Sequence, residues 1–271
     1  MAVKLKSTLL FYLFLATGIQ SCAQVPVVSG AESFEKYLHS IANKKVGVVA
    51  HQASLVNGKT HLVDTLLSLG VAVQKVFAPE HGFRGNADAG ETIYDQKDKK
   101  TGLEILSLHG KTKKPSKEDL ANISVMIFDL QDVGVRFYTY LSTLHYVMEA
   151  CAENNIPLIV LDRPNPNAHY VDGPVLKKEN KSFIGMHPVP IVYGMTIGEY
   201  AKMINGEGWL SNKTKCDLTI IKIKNYTHET SYELPVRPSP NLPNKQAIAL
   251  YPSLCLLEPT KISIGRGTEM Q

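Results

Sequence analysis

Cysteine is scarce in this chain, with four in 271 residues. Cys22 lies near the start, and Cys151, Cys216 and Cys255 are widely separated, so neither a disulfide framework nor metal-ligand spacing is present. They read as small apolar residues, Cys151 in a helical stretch and Cys255 in an apolar one. Charge of neither sign dominates: 29 lysines and arginines face 25 aspartates and glutamates, a formal net charge of +4. The lysine clusters at Lys97, Lys99, Lys100 and at Lys111, Lys113, Lys114 have no aromatic residues between them. That pattern describes a solvated face and argues for no nucleic acid partner. The turn after the first strand reads AHQASL, without the glycines that admit a pyrophosphate, and no P-loop occurs. No G-x-S-x-G elbow is found, which disfavours the usual serine hydrolase. There is no internal repeat and no low-complexity linker.

What is present begins with a leader. Lys4 and Lys6 precede the apolar run LLFYLFLATGI, and SCAQ follows. A basic start, a short apolar stretch and small residues make a secretory signal, and the run is too short for a stable membrane span. Ile19-Gln20-Ser21-Cys22 resembles a bacterial lipobox, in which Cys22 becomes a lipidated first residue and tethers the domain to a membrane. The alternative is a plain signal peptide cleaved near Ala23. Either reading puts the mature domain outside the cytoplasm, in the periplasm or cell envelope.

The rest is 44% hydrophobic overall, enough for a sizeable core. A helix is predicted around Ala31 to Ile41. Strands are predicted at Val46–Ala50, Val73–Ala78, Leu103–Leu108, Ser124–Phe128, Pro157–Leu161 and Asp217–Lys222. Helices are predicted at Thr60–Leu69, closed by Gly70, at Tyr140–Glu153, and at Thr196–Asn205 with Thr196 as N-cap and Glu199 three residues on. Apolar strands alternating with helices imply an α/β fold, a parallel sheet covered on both faces. The second half is less regular and rich in proline, and Ile262–Ile264 begins like one more strand.

The polar clusters all follow strands. His51 to Ser54 follows the first, APEHGFRGNADAGE (Ala78 to Glu91) the second, Asp129 to Tyr138 the central one, and Asp162 to Asn167 the next. In an open parallel sheet the carboxyl ends share one edge, and ligands bind in the crevice there. Carboxylates, arginines, amides and tyrosines at such an edge suit sugar recognition and acid–base hydrolysis. Each residue also has a structural alternative. Glu80 reads equally as a turn acid, Glu91 as a helix cap or partner of Arg84, and His81 as a hydrogen-bonder. Asp132 and Arg136 read as a loop-shaping salt bridge, Arg163 as an anchor for carbonyls, Asn165 and Asn167 as turn residues, and Tyr138 and Tyr140 as packing aromatics.

The stretches VGVVAHQASLVNGKTHLVDTL, APEHGFRGNADAGE, FDLQDVGVRFYTY, LDRPNPN with VDGPVL, PSPNLP, YPSLCLLE and SIGRGT closely resemble the NamZ/YbbC-like family, from about Lys45 to the last residue. The resemblance implies an exo-β-N-acetylmuramidase of peptidoglycan recycling, acting without cofactor or metal on peptidoglycan-derived muramyl sugars. It implies a Rossmann-like domain and a smaller α+β domain with a cleft between them. The expected divisions are 1–22 signal peptide with lipobox, 23–180 Rossmann-like domain, and 181–271 its remainder plus the start of a truncated second domain. Glu80 and Glu91 carry the catalytic expectation, and His81, Arg84, Gln131, Asp132, Arg136, Tyr138, Arg163 and Asn165 are expected to line the cleft. A bidentate arginine is the natural partner of a lactyl carboxylate, with Arg84, Arg136 and Arg163 as candidates. Two rivals are a metal-dependent hydrolase using His81, Asp88, Glu91 and Asp132, and a non-catalytic wall-sugar-binding lipoprotein.

Overall fold

The structure is a computed structural model that describes residues 25–85 and 95–262. Its strands are β1 (Val46–Ala50), β2 (Leu55–Val56), β3 (Thr60–His61), β4 (Val73–Ala78), β5 (Gln96–Lys97), β6 (Glu104–Ser107), β7 (Val125–Asp129), β8 (Leu158–Leu161) and β9 (Leu218–Ile221). Its α-helices are α1 (Leu38–Ile41), α2 (Leu62–Ser68), α3 (Tyr140–Glu153), α4 (Ile197–Gly206) and α5 (Lys245–Leu254). Seven strands form one sheet in the order β5-β6-β4-β1-β7-β8-β9. All neighbours are parallel except the short edge pair β5–β6. Strand β9 extends this sheet, so residues well beyond 180 take part in the Rossmann-like unit.

Every residue of β1, β7 and β8 is buried, as expected of strands covered on two faces. The alternation of side chains then divides the core in two. Val46, Val48 and Ala50 join Val76, Ile127 and Leu161 on the face covered by α1 and α2. Val49, Phe77, Phe128 and Val160 join Leu144, Met148, Tyr200 and Ile204 of α3 and α4 on the other. Each of the larger aliphatic and phenylalanine side chains contributes ~1.5–3 kcal/mol by leaving water.

Most predicted elements stand within a residue or two of their expected places, and the differences have local causes. The helix expected at 31–41 is two 3-10 turns, Gly30–Glu32 and Phe34–Lys36, before the four-residue α1. Ser33 interrupts it, and just before it Ser29 and Glu32 bond reciprocally and close the first turn. Helix α2 starts at Leu62 because Thr60 and His61 pair back with β2 in a small antiparallel hairpin. Helix α4 begins as its sequence indicates: Thr196 Oγ1 accepts the Glu199 amide at 3.2 Å, and the Glu199 carboxylate accepts the Thr196 amide at 2.9 Å. Helix α5, in the proline-rich second half, is an addition to the predicted set, capped by Asn244, whose Oδ1 accepts from the Ala247 amide at 2.8 Å. The strand-like start at Ile262–Ile264 reaches beyond the described residues.

Residues before α1 are threaded against the sheet. Val28 bridges Lys224 in antiparallel sense, and the Gly30 amide donates to the Asp162 carbonyl at 2.7 Å. A Cβ on Gly30 would stand 2.3 Å from the Ile221 carbonyl oxygen and 2.5 Å from the Asp162 amide. Both are backbone atoms of the sheet and cannot yield cheaply. Gly30→Ala is therefore expected to destabilise the chain by ~3 kcal/mol or more, read as a lowered urea midpoint; a change under ~0.5 kcal/mol would show that this seam is loose.

Candidate active site

The loops leaving β1, β4, β7 and β8 meet at the carboxyl edge of the sheet. Arg163, just past β8, binds Asp129 at the end of β7 through Nε (2.5 Å to Oδ1) and Nη2 (2.9 Å to Oδ2), and Nη2 also donates to the Leu55 carbonyl at 3.0 Å. Ser54 Oγ donates to the Asp129 carbonyl at 2.5 Å. Gln131 spans two loops, its Nε2 donating to the carbonyls of Asp132 and Pro164. Asn165 receives the Asn167 amide and donates to the Met195 carbonyl. Gly134 lies against it with φ 82°, where a Cβ would sit 2.3 Å from Asn165 Oδ1. Asn167 Nδ2 reaches the Val133 carbonyl at 2.9 Å.

A cavity of about 190 Å³ opens beside this rim. Glu80 and His81 enter it from the turn after β4, where the Gly82 amide closes on the Pro79 carbonyl at 3.1 Å and His81 takes a left-handed φ of 71°. Thr139 Oγ1 donates to Glu80 Oε2 at 3.3 Å. Tyr138 and Tyr140, from the start of α3, form an edge-to-face pair with centroids 4.8 Å apart, and Tyr251 of α5 stands edge-on to Tyr138 at 6.1 Å. Pro238, next in sequence to Ser239 of the cavity wall, is held by two donors to its carbonyl, Tyr138 Oη at 3.0 Å and Gln52 Nε2 at 2.8 Å. Ser239, Asn241 and Glu258 complete the wall.

Behind the tyrosines the hydrogen bonds run in one direction. The Gln131 amide donates to His51 Nε2 at 2.9 Å, so the neutral ring carries its proton on Nδ1 and donates to Tyr140 Oη at 3.1 Å. Tyr140 in turn reaches the Glu80 carbonyl at 3.4 Å. Burial, reinforced by the Arg163 charge, holds His51 well below the usual imidazole range, so this orientation persists at neutral pH.

Of the residues singled out in the sequence, Glu80, His81 and Tyr138 line the cavity. Gln131, Arg163 and Asn165 build the rim through the contacts above. Asp132 and Arg136 do not pair with each other. Arg136 donates through Nη1 to the carbonyls of Pro174 (2.5 Å) and Val189 (2.8 Å). Arg84 is clamped between Asp98 (Nη2 to Oδ2 2.7 Å) and Asp64 (Nη2 to Oδ1 2.9 Å), its Nε also donating to Asp98 at 3.0 Å. Each of the three candidate arginines thus has its guanidinium engaged within the chain. Glu91, Asp88 and Cys22 lie outside the described residues. Thr139, Ser239, Asn241, Tyr251 and Glu258 were missed as site residues. Ser239 and Asn241 sit in PSPNLP, and Tyr251 and Glu258 bound YPSLCLLE, so long-range placement was the missing information rather than a motif.

Asp132 is the most unusual group at the rim. It is buried, accepts hydrogen bonds from the Gly134 amide at 2.9 Å and from the Tyr193 hydroxyl, and leaves Oδ1 without a hydrogen-bond partner among the described residues. Burial pushes its carboxyl up to about 6, against the pull of these donors. A folded-state value above the unfolded one means that its stabilising contribution is complete below about pH 4 and is lost as pH rises through about 6. Tyr193→Phe removes a donor to the ionised form. The variant is expected to lose ~2 kcal/mol at pH 7 but only about half of that at pH 4.5, measured by urea unfolding at both; equal losses would mean that Asp132 does not titrate in this range.

Comparison with known proteins agrees with this geometry. Residues 46–246 match the family described as "Exo-beta-N-acetylmuramidase NamZ, N-terminal". A curated relative, "Peptidoglycan beta-N-acetylmuramidase NamZ" of Bacillus subtilis (strain 168), is 42% identical over 238 residues, 86% of this chain and 56% of that protein. Two crystal structures of DUF1343 family proteins from Bacteroides fragilis NCTC 9343 are similar. One has 48% identity and a TM-score of 0.83, covering 90% of this chain and 65% of the other. The second has 35% identity and a TM-score of 0.78, covering 85% and 60%. The chain spans a little over half the length of the curated relative that it matches. By the extent of that match and by a parallel sheet whose loops meet at one edge, the chain belongs to the NamZ exo-β-N-acetylmuramidase family, in the part assigned to its N-terminal region.

Proposed function

We propose that this chain works as part of an exo-acting β-N-acetylmuramidase, a glycoside hydrolase that releases N-acetylmuramic acid from the non-reducing ends of peptidoglycan fragments. The observation that carries the proposal is the cavity at the end of β4, where Glu80 and Glu258 share a small aromatic-walled space. The name of the Bacillus subtilis relative supports the same reaction. At about 190 Å³ the space is below the ~300–1,000 Å³ of sites for larger ligands, which suits one terminal sugar rather than a continuous glycan. The rings of Tyr138 and Tyr251 offer apolar faces to a pyranose, and Ser239 and Asn241 offer polar groups to its substituents.

In this reading Glu80 is the general acid that protonates the leaving oxygen, with its carboxyl oriented by Thr139. Glu258 is the second carboxylate, acting on water or on the sugar carbon, or orienting the 2-acetamido group as internal nucleophile. Glu91 is the other candidate for that role, on the strength of the family resemblance. The rim arginines shape the loops, and His51 fixes the tyrosine floor. We further propose that Cys22 is lipidated after export and holds the enzyme in the cell envelope, as the lipobox-like ending of the leader suggests.

Incubation with a muramic-acid-terminated disaccharide is expected to yield free N-acetylmuramic acid. Glu80→Gln and Glu258→Gln should each lower the rate by ~10²–10⁴, and a chelator should leave it unchanged. Near wild-type rates in Glu80→Gln would remove that residue from the mechanism. Loss of activity on chelation would favour the metal-dependent rival, and sugar binding without turnover would favour a wall-binding lipoprotein. For the anchor, Cys22→Ser in cells should move the protein from the membrane to the soluble fraction; an unchanged distribution would dismiss it.

A further inference from the structure

A second cavity, of about 370 Å³, lies at the far end of α4, away from the capped N-terminus of that helix. Its walls are Leu176, Met186 and the indole of Trp209, and its mouth carries Lys177, Lys178 and Lys181. None of these lysines is held in an ion pair among the described residues, unlike nearby Lys114, which is bound to Glu149 and Glu153 at 2.8 and 2.7 Å. One acidic side chain, Glu207, lines the same cavity. The cavity therefore combines an apolar aromatic floor with a net positive mouth.

The floor is rigid. The His187 ring stacks on Trp209 with centroids 4.6 Å apart and planes 18° from parallel. His187 is fixed in turn by a buried chain of hydrogen bonds. Tyr200 Oη lies 3.1 Å from His187 Nδ1, His187 Nε2 lies 3.0 Å from His145 Nδ1, and His145 Nε2 faces Glu149 Oε2 at 3.6 Å. Burial, the proximity of His145 and the charge of Lys181 push His187 down to about 3, and burial takes His145 down to about 4. Both rings are neutral at ordinary pH. One set of tautomers then satisfies the chain: the tyrosine donates to His187, His187 to His145, and His145 towards Glu149. The aromatic plate is thus locked before any ligand arrives, which lowers the ordering cost of binding. One turn connects the walls of the two cavities. The Ser182 and Gly185 amides and carbonyls close on each other at 2.9 and 3.1 Å, placing Ile184 in the wall of the first cavity and Lys181 and Met186 in the wall of the second.

We infer that this second cavity binds an anionic saccharide, with the sugar ring against the Trp209 side and its carboxylate or phosphate among Lys177, Lys178 and Lys181. It goes beyond the hydrolytic reading and uses none of the residues assigned to it. A neutral sugar lacks the group that the mouth recognises, and a bare anion lacks the ring that the floor receives.

Trp209 is the sole tryptophan of the chain, so its emission reports on this cavity alone. The full chain is titrated with N-acetylmuramic acid (a carboxylate), glucosamine 6-phosphate (a phosphate), N-acetylglucosamine (neutral) and inorganic phosphate. A saturable change in emission is expected with one or both anionic sugars, the active one identifying the charged group preferred. Affinity for the two controls is expected to be at least about tenfold weaker. The triple variant Lys177→Ala, Lys178→Ala, Lys181→Ala, altered only at exposed positions, should lose at least about tenfold in affinity for the anionic sugars while Glu80→Gln loses none. No emission change with either anionic sugar, confirmed by absence of heat on calorimetric titration, would overturn the inference. So would an equal response to N-acetylglucosamine or to phosphate, or full binding by the triple variant. Release of N-acetylmuramic acid by the triple variant, measured separately, tells failure here from failure of the hydrolytic reading.

Discussion

The arrangement of this edge depends on one buried ion pair. Asp129 ends β7, Arg163 follows β8, and both lie out of water. Burial raises the Asp129 carboxyl, and the guanidinium pulls it back. The two-pronged geometry uses both carboxylate oxygens, and the guanidinium also reaches a carbonyl of the β1 loop. Removing one partner of such a pair leaves an uncompensated charge, at a cost of ~3–5 kcal/mol. The pair therefore acts less as a store of stability than as a condition: three strand ends occupy their places together or the charges are stranded.

From that condition follows a division of labour among the charged residues. Arginines serve the frame: Arg163 at the centre, Arg136 on two carbonyls, Arg84 between Asp64 and Asp98. The Asp98 carboxyl is held well below its usual range, first by that guanidinium and against its own burial. The carboxylates Glu80 and Glu258 stand instead on the cavity wall, among tyrosines whose hydroxyls are spoken for by His51, Pro238 and the Glu80 carbonyl. Each of these guanidinium groups is held by partners within the frame, and the two glutamates on the cavity wall are the ones proposed above for chemistry.

How much of this was legible beforehand differs between elements. Helix α3 runs from Tyr140 to Glu153 as its periodicity indicates, and α4 shows the reciprocal cap that Thr196 and Glu199 announce. The buried strands were readable because a covered parallel strand is an unbroken apolar run. The 31–41 segment was not, because Ser33, whose hydroxyl donates to the Ser29 carbonyl, splits it in a way that periodicity does not record. That several loops share one edge followed from the parallel order alone. Which side chains face the cavity did not: Arg84 and Glu80 are four residues apart, yet one is turned to Asp64 and Asp98 and the other to Thr139. Loop orientation is decided by partners distant in sequence, such as Pro238 for Tyr138, and those are invisible in any short window.

The seam made by residues 28–30 has a kinetic meaning as well. Val28 meets Lys224, and Gly30 meets Asp162, so residues near the start of the described chain join partners well over a hundred residues later. Contacts of such long separation form late, because the intervening loop must close first. On a chain synthesised from its amino end, this segment waits without its partner until β9 has emerged. Until then the flank of the sheet that residues 28–30 seal, beside Asp162 and Ile221, stays open.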